Sequence, residues 1–276
     1  MPGDINNPVG ERQKPARHPR RRKSDGAGLS ATVLLATTSR TQLLERVLAP
    51  LRADRATSEI VVVVDGCREG SVELLATMAR QDERIRTIFV RGGGTPRALL
   101  TGALQARGDL LVMLDDDLVV KDGSVAGHVR HHTADGGLIV VGYVEMDLQL
   151  VPRPREMRRY VQARRYERDV ARYRSDPASI LENLRGGYLS LHRADYLRAT
   201  KAHAAIPQSL VAGYRELGAS CLAHGLDATF DPALSATRLY GPPSLPQATG
   251  SGVGPDRVLR SPAPLSPRNA ARGRIQ

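Results

Sequence analysis

Apolar and polar residues form blocks of two different periods along the first half of the chain. Continuous apolar runs predict buried strands over residues 32–36, 59–64, 85–90 and 110–114. Between them, apolar side chains recur at helical spacing over residues 43–51, 71–80 and 96–106. Strands that alternate with helices in this way predict an α/β fold with a parallel sheet and right-handed crossovers.

The second half of the chain has a less regular pattern. The composition predicts strands at 138–145 and 188–191, with Gly186-Gly187 breaking the chain before the second of them. The spacing predicts helices over 153–174, from Ala194 onward and over 209–224, followed by apolar pieces at 228–230 and 235–240. The helix at 153–174 contains nine Arg, which predicts a solvated face, with an anionic acceptor or a lipid headgroup as the alternative.

Both ends of the chain differ in composition from the middle. Residues 1–29 contain four Pro, the cluster Arg20-Arg21-Arg22-Lys23 and few apolar side chains, whereas residues 241–276 are rich in Pro, Gly, Ser and Arg. Such segments cannot bury enough apolar surface to offset the cost of ordering the chain. We therefore expect one folded domain over residues 30–240, between a disordered basic tail at 1–29 and a disordered tail at 241–276.

The net charge of +11 lies mainly in these ends, because residues 1–30 and residues 241–276 each contribute +4. With no Trp and two Phe available for base stacking, nucleic acid is not an expected partner. The basic tails could instead hold the protein near anionic membrane lipid. Two Cys, and no run of about 20 apolar residues, predict a cytoplasmic location, at most peripheral to the inner face of a membrane.

The most informative motif stands where the apolar run 110–114 ends in Asp115-Asp116-Asp117. Three adjacent carboxylates repel one another unless a cation neutralises them, and hard oxygen ligands suit Mg²⁺ or Mn²⁺. Ligands of open α/β sheets bind at the carboxyl ends of the strands. We therefore expect a crevice at this edge, which the strand tips at Thr37, Thr38, Asp65 and Arg91–Gly94 also reach.

Several segments, in order and at suitable intervals, resemble motifs of the inverting family-2 glycosyltransferases. They are Thr32–Arg40 at the opening strand, Asp65–Ser71 at the Asp-Gly turn, Ala98–Gly102, Gly108–Asp117 at the Asp-x-Asp motif, Arg185–Arg193 and Gly213–Pro232. The resemblance covers roughly residues 30–240. It implies a single GT-A-like (Rossmann-like) α/β domain, with a mainly parallel sheet and helices on both faces. It also implies an enzyme that transfers a sugar from a nucleoside-diphosphate sugar to a hydroxyl acceptor with inversion.

The resemblance further implies roles for individual residues. Asp117 and Asp115 would hold the Mg²⁺ or Mn²⁺ ion, Asp65 would contact the base and Thr37 would line the nucleoside pocket. The whole set expected to bind the nucleotide sugar is Thr37, Arg40, Asp65, Arg97, Asp115 and Asp116. Arg97 is a candidate for a phosphate contact.

The family's catalytic base is an Asp at the position of Ser209, and Ser cannot serve as a carboxylate base. The catalytic residue is therefore unassigned, and Arg238 replaces a downstream His that often contacts the metal or phosphate. A relocated base or an acidic acceptor that needs no base would preserve activity. A non-catalytic nucleotide-sugar-binding pseudoenzyme remains an alternative.

Two other motifs offer different chemistry. Asp115–Val119 also fits the nucleophile strand of haloacid-dehalogenase-like phosphatases, although that strand normally opens its domain. His128, His131 and His132 could place two imidazoles on one helical face as metal ligands, but the preferred interpretation is a solvated helix end.

Overall fold

The computed structural model describes residues 28–38, 41–66, 71–134, 137–146, 157–201 and 210–239. The strands in these ranges are β1 (Ala31–Thr37), β2 (Thr57–Asp65), β3 (Ile85–Val90), β4 (Leu110–Leu114), β5 (Leu118–Val120), β6 (Leu138–Glu145), β7 (Tyr188–His192) and β8 (Asp227–Arg238). The helices are α1 (Thr41–Ala53), α2 (Ser71–Gln81), α3 (Thr95–Gln105), α4 (Ser124–Ala134), α5 (Met157–Ser175), α6 (Ser179–Glu182), α7 (Arg193–Lys201) and α8 (Leu210–Ala223).

All eight strands form one mixed sheet in the order β3-β2-β1-β4-β7-β6-β8-β5. The first four strands pair in parallel, as the alternating pattern predicts. β7 is antiparallel to both of its neighbours, β4 and β6, whereas β6 and β8 are parallel. The carboxyl ends of β1, β2, β3, β4, β6 and β8 therefore lie at one edge of the sheet.

Helices cover both faces of this sheet, as expected. Successive strand residues point to opposite faces, so Val33 and Leu35 join one core cluster while Leu34 joins the other. The first cluster packs against α1, α2, α4 and part of α5, and the second against α3, α6, α7 and α8. β4 is buried along its whole length because it lies inside the sheet between β1 and β7.

The structure departs from the sequence pattern mainly in the second half. β8 is one strand of twelve residues, where two separate apolar pieces were expected, and a register shift against β6 falls at Gly142/Tyr143. The pattern missed β5 and α6, which have three and four residues and are too short for a periodic signal. The start of the predicted helix at 153–174 lies outside the described residues, and α5 begins at Met157.

The prediction of a solvated histidine group on α4 is wrong. His128 and His132 are buried, with 0% and 3% of their surface exposed, and both hydrogen-bond the hydroxyl of Ser190 on β7. α4 packs on the middle of the sheet, against β1, β4, β7, β6 and β8, and its N-terminus is bound by a residue that follows α1. The Asp54 carboxylate accepts hydrogen bonds from the amides of Val125 and Ala126, at 2.9 and 3.2 Å.

The predicted tails at 1–29 and 241–276 lie outside the described residues, apart from the short stretch 28–29. Arg40 and Ser209 also lie outside them. None of the described helices is both long and apolar enough to cross a membrane.

Candidate active site

Asp115, Asp116 and Asp117 form a tight turn at the carboxyl end of β4. The chain reverses there because the Leu118 amide donates to the carbonyl of Asp115, at 3.2 Å, and β5 then runs back alongside β8. The Asp115 amide donates to the Gly187 carbonyl at 2.8 Å, which ties the turn to the start of β7. The expected carboxylate group therefore stands at the edge where the parallel strands end.

Arg238, the last residue of β8, neutralises two of these carboxylates. Its Nη1 atom donates to both carboxylate oxygens of Asp117, at 2.7 and 2.9 Å, and its Nη2 atom donates to Asp115 Oδ2 at 3.1 Å. The Leu239 amide also donates to the Asp117 carbonyl, at 2.7 Å. Burial lowers the pKa of Arg238, but the charges and hydrogen bonds of Asp115 and Asp117 outweigh it and raise this pKa above its ordinary value. The three groups form a charged, largely buried unit, which we call the carboxylate–arginine cluster.

Two adjacent glycines allow this cluster to form. A Cβ on Gly187 would lie 2.8 Å from Asp115 Oδ2, and its φ of +110° is one that other residues rarely adopt. A Cβ on Gly186 would lie 1.7 Å from the ring of Tyr214. Gly186 and Gly187 therefore do more than precede β7. They also leave the space that the Tyr214 ring and the Asp115 carboxylate occupy.

Tyr214 on α8 closes one side of the site. Its hydroxyl accepts a hydrogen bond from the Gly187 amide, and its ring is buried against Gly186. Burial raises the pKa of Tyr214 well above its ordinary value, and the nearby Asp115 carboxylate raises it further. The hydroxyl is consequently neutral at physiological pH and available as a hydrogen-bond donor.

A cavity of about 190 Å³ opens beside these groups. It is lined by the three carboxylates and Arg238 together with Ala36, Thr38, Thr95, Leu99, Leu114 and Tyr214. Pockets for small molecules typically span about 300–1,000 Å³. The described residues would therefore enclose only part of a large ligand, at its charged end.

Asp65 lies at the neighbouring tip of β2 and is 7% exposed. Burial raises its pKa above the ordinary value, an effect that hydrogen bonds from the Gly94 and Gly92 amides and the charge of Arg97 partly offset. Its Oδ1 atom is buried and has no hydrogen-bond partner within the described part of the chain. Arg97 is exposed and packs over Gly93. Asp65 and Arg97 thus lie near each other but outside the cavity lining.

Thr37 is buried at the tip of β1, and its hydroxyl likewise has no hydrogen-bond partner among the described residues. Its chain neighbours Ala36 and Thr38 line the cavity, whereas Thr37 does not. The structure therefore brings Asp115, Asp116 and Asp117 together and leaves Thr37, Asp65 and Arg97 beside them. Arg40 and Ser209 are not among the residues described.

The sequence pattern placed Thr38 among the strand tips at the crevice, and Thr38 does line the cavity, but the pattern did not assign Thr95 or Tyr214 to the site. Tyr214 belongs to a segment that the resemblance covers, yet its approach to Gly186 depends on how α8 packs. Arg238 was identified only as a replacement for a His. The sequence signals were the three carboxylates after β4 and an Arg at the end of a much later strand. Their pairing depends on the register between β5 and β8.

The donor set of the cluster fits a divalent cation. Asp115 and Asp117 supply hard carboxylate oxygens on either side of the Arg238 guanidinium, which stands where a cation would neutralise both. Within the described residues, no group of three or more His, Cys, Asp or Glu side chains is placed to hold a metal ion. An ion at this position would therefore need ligands from a bound molecule as well as from the protein.

Comparisons with solved structures show a GT-A fold. The mannosyltransferase PcManGT from Pyrobaculum calidifontis, in complex with GDP-Man and Mn²⁺, matches with a TM-score of 0.56 and 18% identity over 77% of this chain and 57% of its own. GalNAc-T7 with UDP, GalNAc and Mn²⁺ matches with a TM-score of 0.55 and 16% identity, over 83% of this chain and 47% of its own. The fold class expected from the sequence is confirmed.

Curated relatives match a shorter part of the chain. The undecaprenyl-phosphate 4-deoxy-4-formamido-L-arabinose transferase of Pseudomonas paraeruginosa is 42% identical over 79 residues, which is 28% of this chain and 23% of the relative. The enzyme of the same name from Photorhabdus laumondii is 35% identical over 102 residues, or 36% of this chain and 31% of the relative. The chain thus matches less than a third of the length of either relative.

Residues 32–194 match the protein family described as "Glycosyl transferase family 2". The match covers more than half of the chain and extends from the second residue of β1 through β7. This match favours the glycosyltransferase interpretation over the phosphatase alternative, and it places the carboxylate turn inside the family domain. The chain belongs to glycosyl transferase family 2.

Proposed function

We propose that this protein transfers a sugar, with inversion, from a nucleoside-diphosphate sugar to the phosphate of a polyprenyl-phosphate lipid. The observation that supports the donor half is the carboxylate–arginine cluster at the carboxyl edge of the sheet, beside a cavity. The names of the curated relatives support the acceptor half, since they are undecaprenyl-phosphate transferases. A hydroxyl acceptor is the alternative.

In this proposal the diphosphate of the donor lies against Asp115, Asp117 and Arg238. Mg²⁺ or Mn²⁺ would be held by Asp117 and Asp115 and would supply positive charge to the diphosphate as it leaves. The Arg238 guanidinium has the planar donor geometry that suits phosphate oxygens, so it would add charge-assisted hydrogen bonds. Arg97 would provide a further phosphate contact at the rim.

The nucleoside would lie over the tips of β1 and β2. The Oδ1 of Asp65 and the hydroxyl of Thr37 have no partner among the described residues, and this supports the placement, because buried polar atoms without partners are rare unless a ligand supplies them. We also propose Arg40 and Asp116 as contacts to the nucleotide sugar.

A phosphate acceptor accounts for Ser209 at the position of the family base. An oxygen of the acceptor phosphate would form the new bond to the anomeric carbon while the bond from that carbon to the diphosphate breaks. The electron pair leaves with the diphosphate, and no proton has to be removed because the phosphate is already ionised. Loss of a base that is typically worth about 10²–10⁴ in rate would then cost little.

Calorimetry with GDP- and UDP-sugars, with and without Mn²⁺, tests the donor half. We expect Mn²⁺-dependent binding by the parent protein and at least a tenfold loss in Asp117→Asn, because the ion loses a charged ligand. Asp122→Asn is the matched control, since Asp122 is exposed beyond the end of β5. If Asp117→Asn binds every donor as the parent does, the donor site lies elsewhere.

Transfer to undecaprenyl phosphate and to undecaprenol, with the same labelled donors, tests the acceptor half. We expect product with the phosphate and none with the alcohol. Product with the alcohol alone would contradict the phosphate proposal and would require a base that the described residues do not identify. Donor binding without any transfer would favour the pseudoenzyme alternative.

A further inference from the structure

Helix α5 presents a basic outer face to solvent. Arg164, Arg165, Arg168 and Arg172 are all exposed, and their spacing of three or four residues places them on one side of the helix. The opposite side, which packs on the body, consists of Ala163, Tyr166, Val170 and Tyr173. These four arginines therefore share a single surface of a long helix, whereas Arg174 lies over Phe230 on another side.

The two acidic residues of α5 are turned away from this surface. Glu167 accepts a hydrogen bond from the Tyr143 hydroxyl at 3.1 Å, and Asp169 pairs with Arg185 at 2.6 Å. Both partners belong to the body of the protein. Neither acid interrupts or neutralises the row of arginines.

Apolar side chains continue the same face at the N-terminal end of α5. Met157 is 47% exposed and Val161 is 40% exposed, and helical spacing aligns them with Arg164, Arg165 and Arg168. We call Met157, Val161, Arg164, Arg165, Arg168 and Arg172 the α5 outer face. Exposed apolar side chains beside a row of cations are typical of helices that lie in a bilayer interface.

The N-terminal end of α5 stands at the edge of the sheet that carries the site. The Tyr166 hydroxyl accepts a hydrogen bond from the Val144 amide, while the ring of Tyr173 lies 6.0 Å from the ring of Phe230, which is level with Val141. α5 therefore runs antiparallel to β6. Met157 comes nine residues before Tyr166 and so lies about 13 Å further toward the carboxyl edge, beyond the end of β6.

We propose that the α5 outer face docks on an anionic lipid bilayer. The arginines would lie among the headgroup phosphates, and Met157 and Val161 would enter the boundary between headgroups and acyl chains. The helix would then hold the carboxyl edge of the sheet toward the membrane. The site would face a substrate that is anchored there, which is the acceptor class in the proposed function.

A single introduced Trp can report on docking, because the chain contains none. We expect the emission of Met157→Trp to shift to the blue on adding vesicles of phosphatidylcholine and phosphatidylglycerol, and to be quenched by brominated acyl chains. Leu104→Trp is the matched control, since Leu104 is 56% exposed near the end of α3. If the Trp emission of neither variant changes on adding vesicles, or if both change equally, the proposal is wrong.

Charge removal tests the arginines in the full-length chain. Arg164→Gln/Arg168→Gln should weaken sedimentation with anionic vesicles by about five-fold for each arginine, or about 25-fold together. Arg55→Gln/Arg107→Gln removes the same charge from exposed positions that precede β2 and β4, at the opposite edge, and should change binding little. Both variants keep the basic segments before residue 28 and after residue 239, so the difference isolates α5.

Equal losses in the two variants would show that only net charge matters and would overturn the proposal. Binding to inorganic polyphosphate without binding to vesicles would assign the face to a soluble polyanion and would also overturn it. The vesicle measurements need neither donor nor acceptor. Their failure would leave the proposed transfer reaction standing, and a failure of transfer would leave the docking result standing.

Discussion

Two of the buried polar clusters in the described part of the chain compensate for burial in opposite ways. In the carboxylate–arginine cluster, Asp115, Asp117 and Arg238 keep their charges and compensate one another at an edge that opens to a cavity. In the second, the histidine–serine cluster, His128 and His132 share the hydroxyl of Ser190 beneath the middle of the sheet, at 2.7 and 2.9 Å. Burial lowers the pKa of both histidines to about 3, so they are neutral.

The difference separates a group suited to ligand binding from one suited to packing. A charged cluster at an opening can exchange one of its partners for a cation or a phosphate, because each exchange keeps the charges compensated. The neutral histidines have no such exchange available, since charging them would place uncompensated cations inside the core. We therefore expect a ligand to bind at the carboxylates and arginine of the edge, whereas the histidines below it support the fold.

Removing the guanidinium should have the largest effect on stability. Arg238→Met leaves Asp115 and Asp117 facing each other, and we expect a loss of about 2–4 kcal/mol in the free energy of unfolding. This is less than the 3–5 kcal/mol typical of a fully buried pair, because the Arg238 side chain is 22% exposed. Urea denaturation at neutral pH measures the loss.

Two controls sharpen this result. Arg198→Met breaks the more exposed pair with Asp195, in which the Arg side chain is 50% exposed, and should cost less than about 1 kcal/mol. Adding Mn²⁺ should restore part of the stability lost in Arg238→Met, because the ion would replace the guanidinium between the carboxylates. An Arg238→Met protein as stable as the parent would mean that the two carboxylates do not need this partner.

The histidine–serine cluster predicts a smaller, pH-dependent loss. The unfolded chain binds protons at these histidines near pH 6.5, while the folded protein resists them until about pH 3. The stabilisation that comes from keeping these histidines neutral is therefore fully present above pH 6.5. The free energy of unfolding falls as the pH is lowered from there toward 3. Between pH 7.5 and 5.5 we expect a loss of about 1.4 kcal/mol for each histidine, or about 2.7 kcal/mol together.

Urea denaturation at several pH values checks this slope. His132→Leu removes one of the two titrating groups and should roughly halve the loss, whatever its effect on stability at pH 7.5. Carboxyl groups such as Asp65, whose pKa is raised by burial, are present in both proteins, so the difference between the parent and His132→Leu isolates the histidine. An unchanged slope in His132→Leu would show that other groups cause it.

The same comparison shows where sequence patterns succeed. The β1–β4 half was predictable because strands and helices alternate regularly there, so both the period and the strand tips can be read locally. The position of Asp115–Asp117 followed directly from the end of an apolar run. The fold and the family that these segments predict were confirmed by the comparisons with known proteins.

Contacts across the second half were not predictable in this way. The pairing of Arg238 with Asp117 joins residues 121 positions apart and depends on the register of β5 with β8. His128 is buried because α4 packs on the sheet, with its N-terminus held by Asp54, which follows α1. Neither relation leaves a periodic or motif-like trace, since each is set by tertiary packing of irregularly connected elements. The assigned roles of Thr37, Asp65, Arg97 and the carboxylates remain predictions for the experiments above.

The smallest expected effect concerns Tyr188, which stands between the two clusters. Its hydroxyl donates to the Ser124 hydroxyl at 2.8 Å, its ring makes an edge contact with His128, and its backbone pairs with Leu114 beside the carboxylate turn. Tyr188→Phe keeps the ring and removes one buried hydrogen bond, so we expect a loss of about 1 kcal/mol in the free energy of unfolding. If the clusters are independent, the pH slope and Mn²⁺-dependent donor binding should both stay as in the parent. A change in donor binding together with the pH slope would show that β7 couples the clusters, and the histidines would then belong to the site's support and not only to the core.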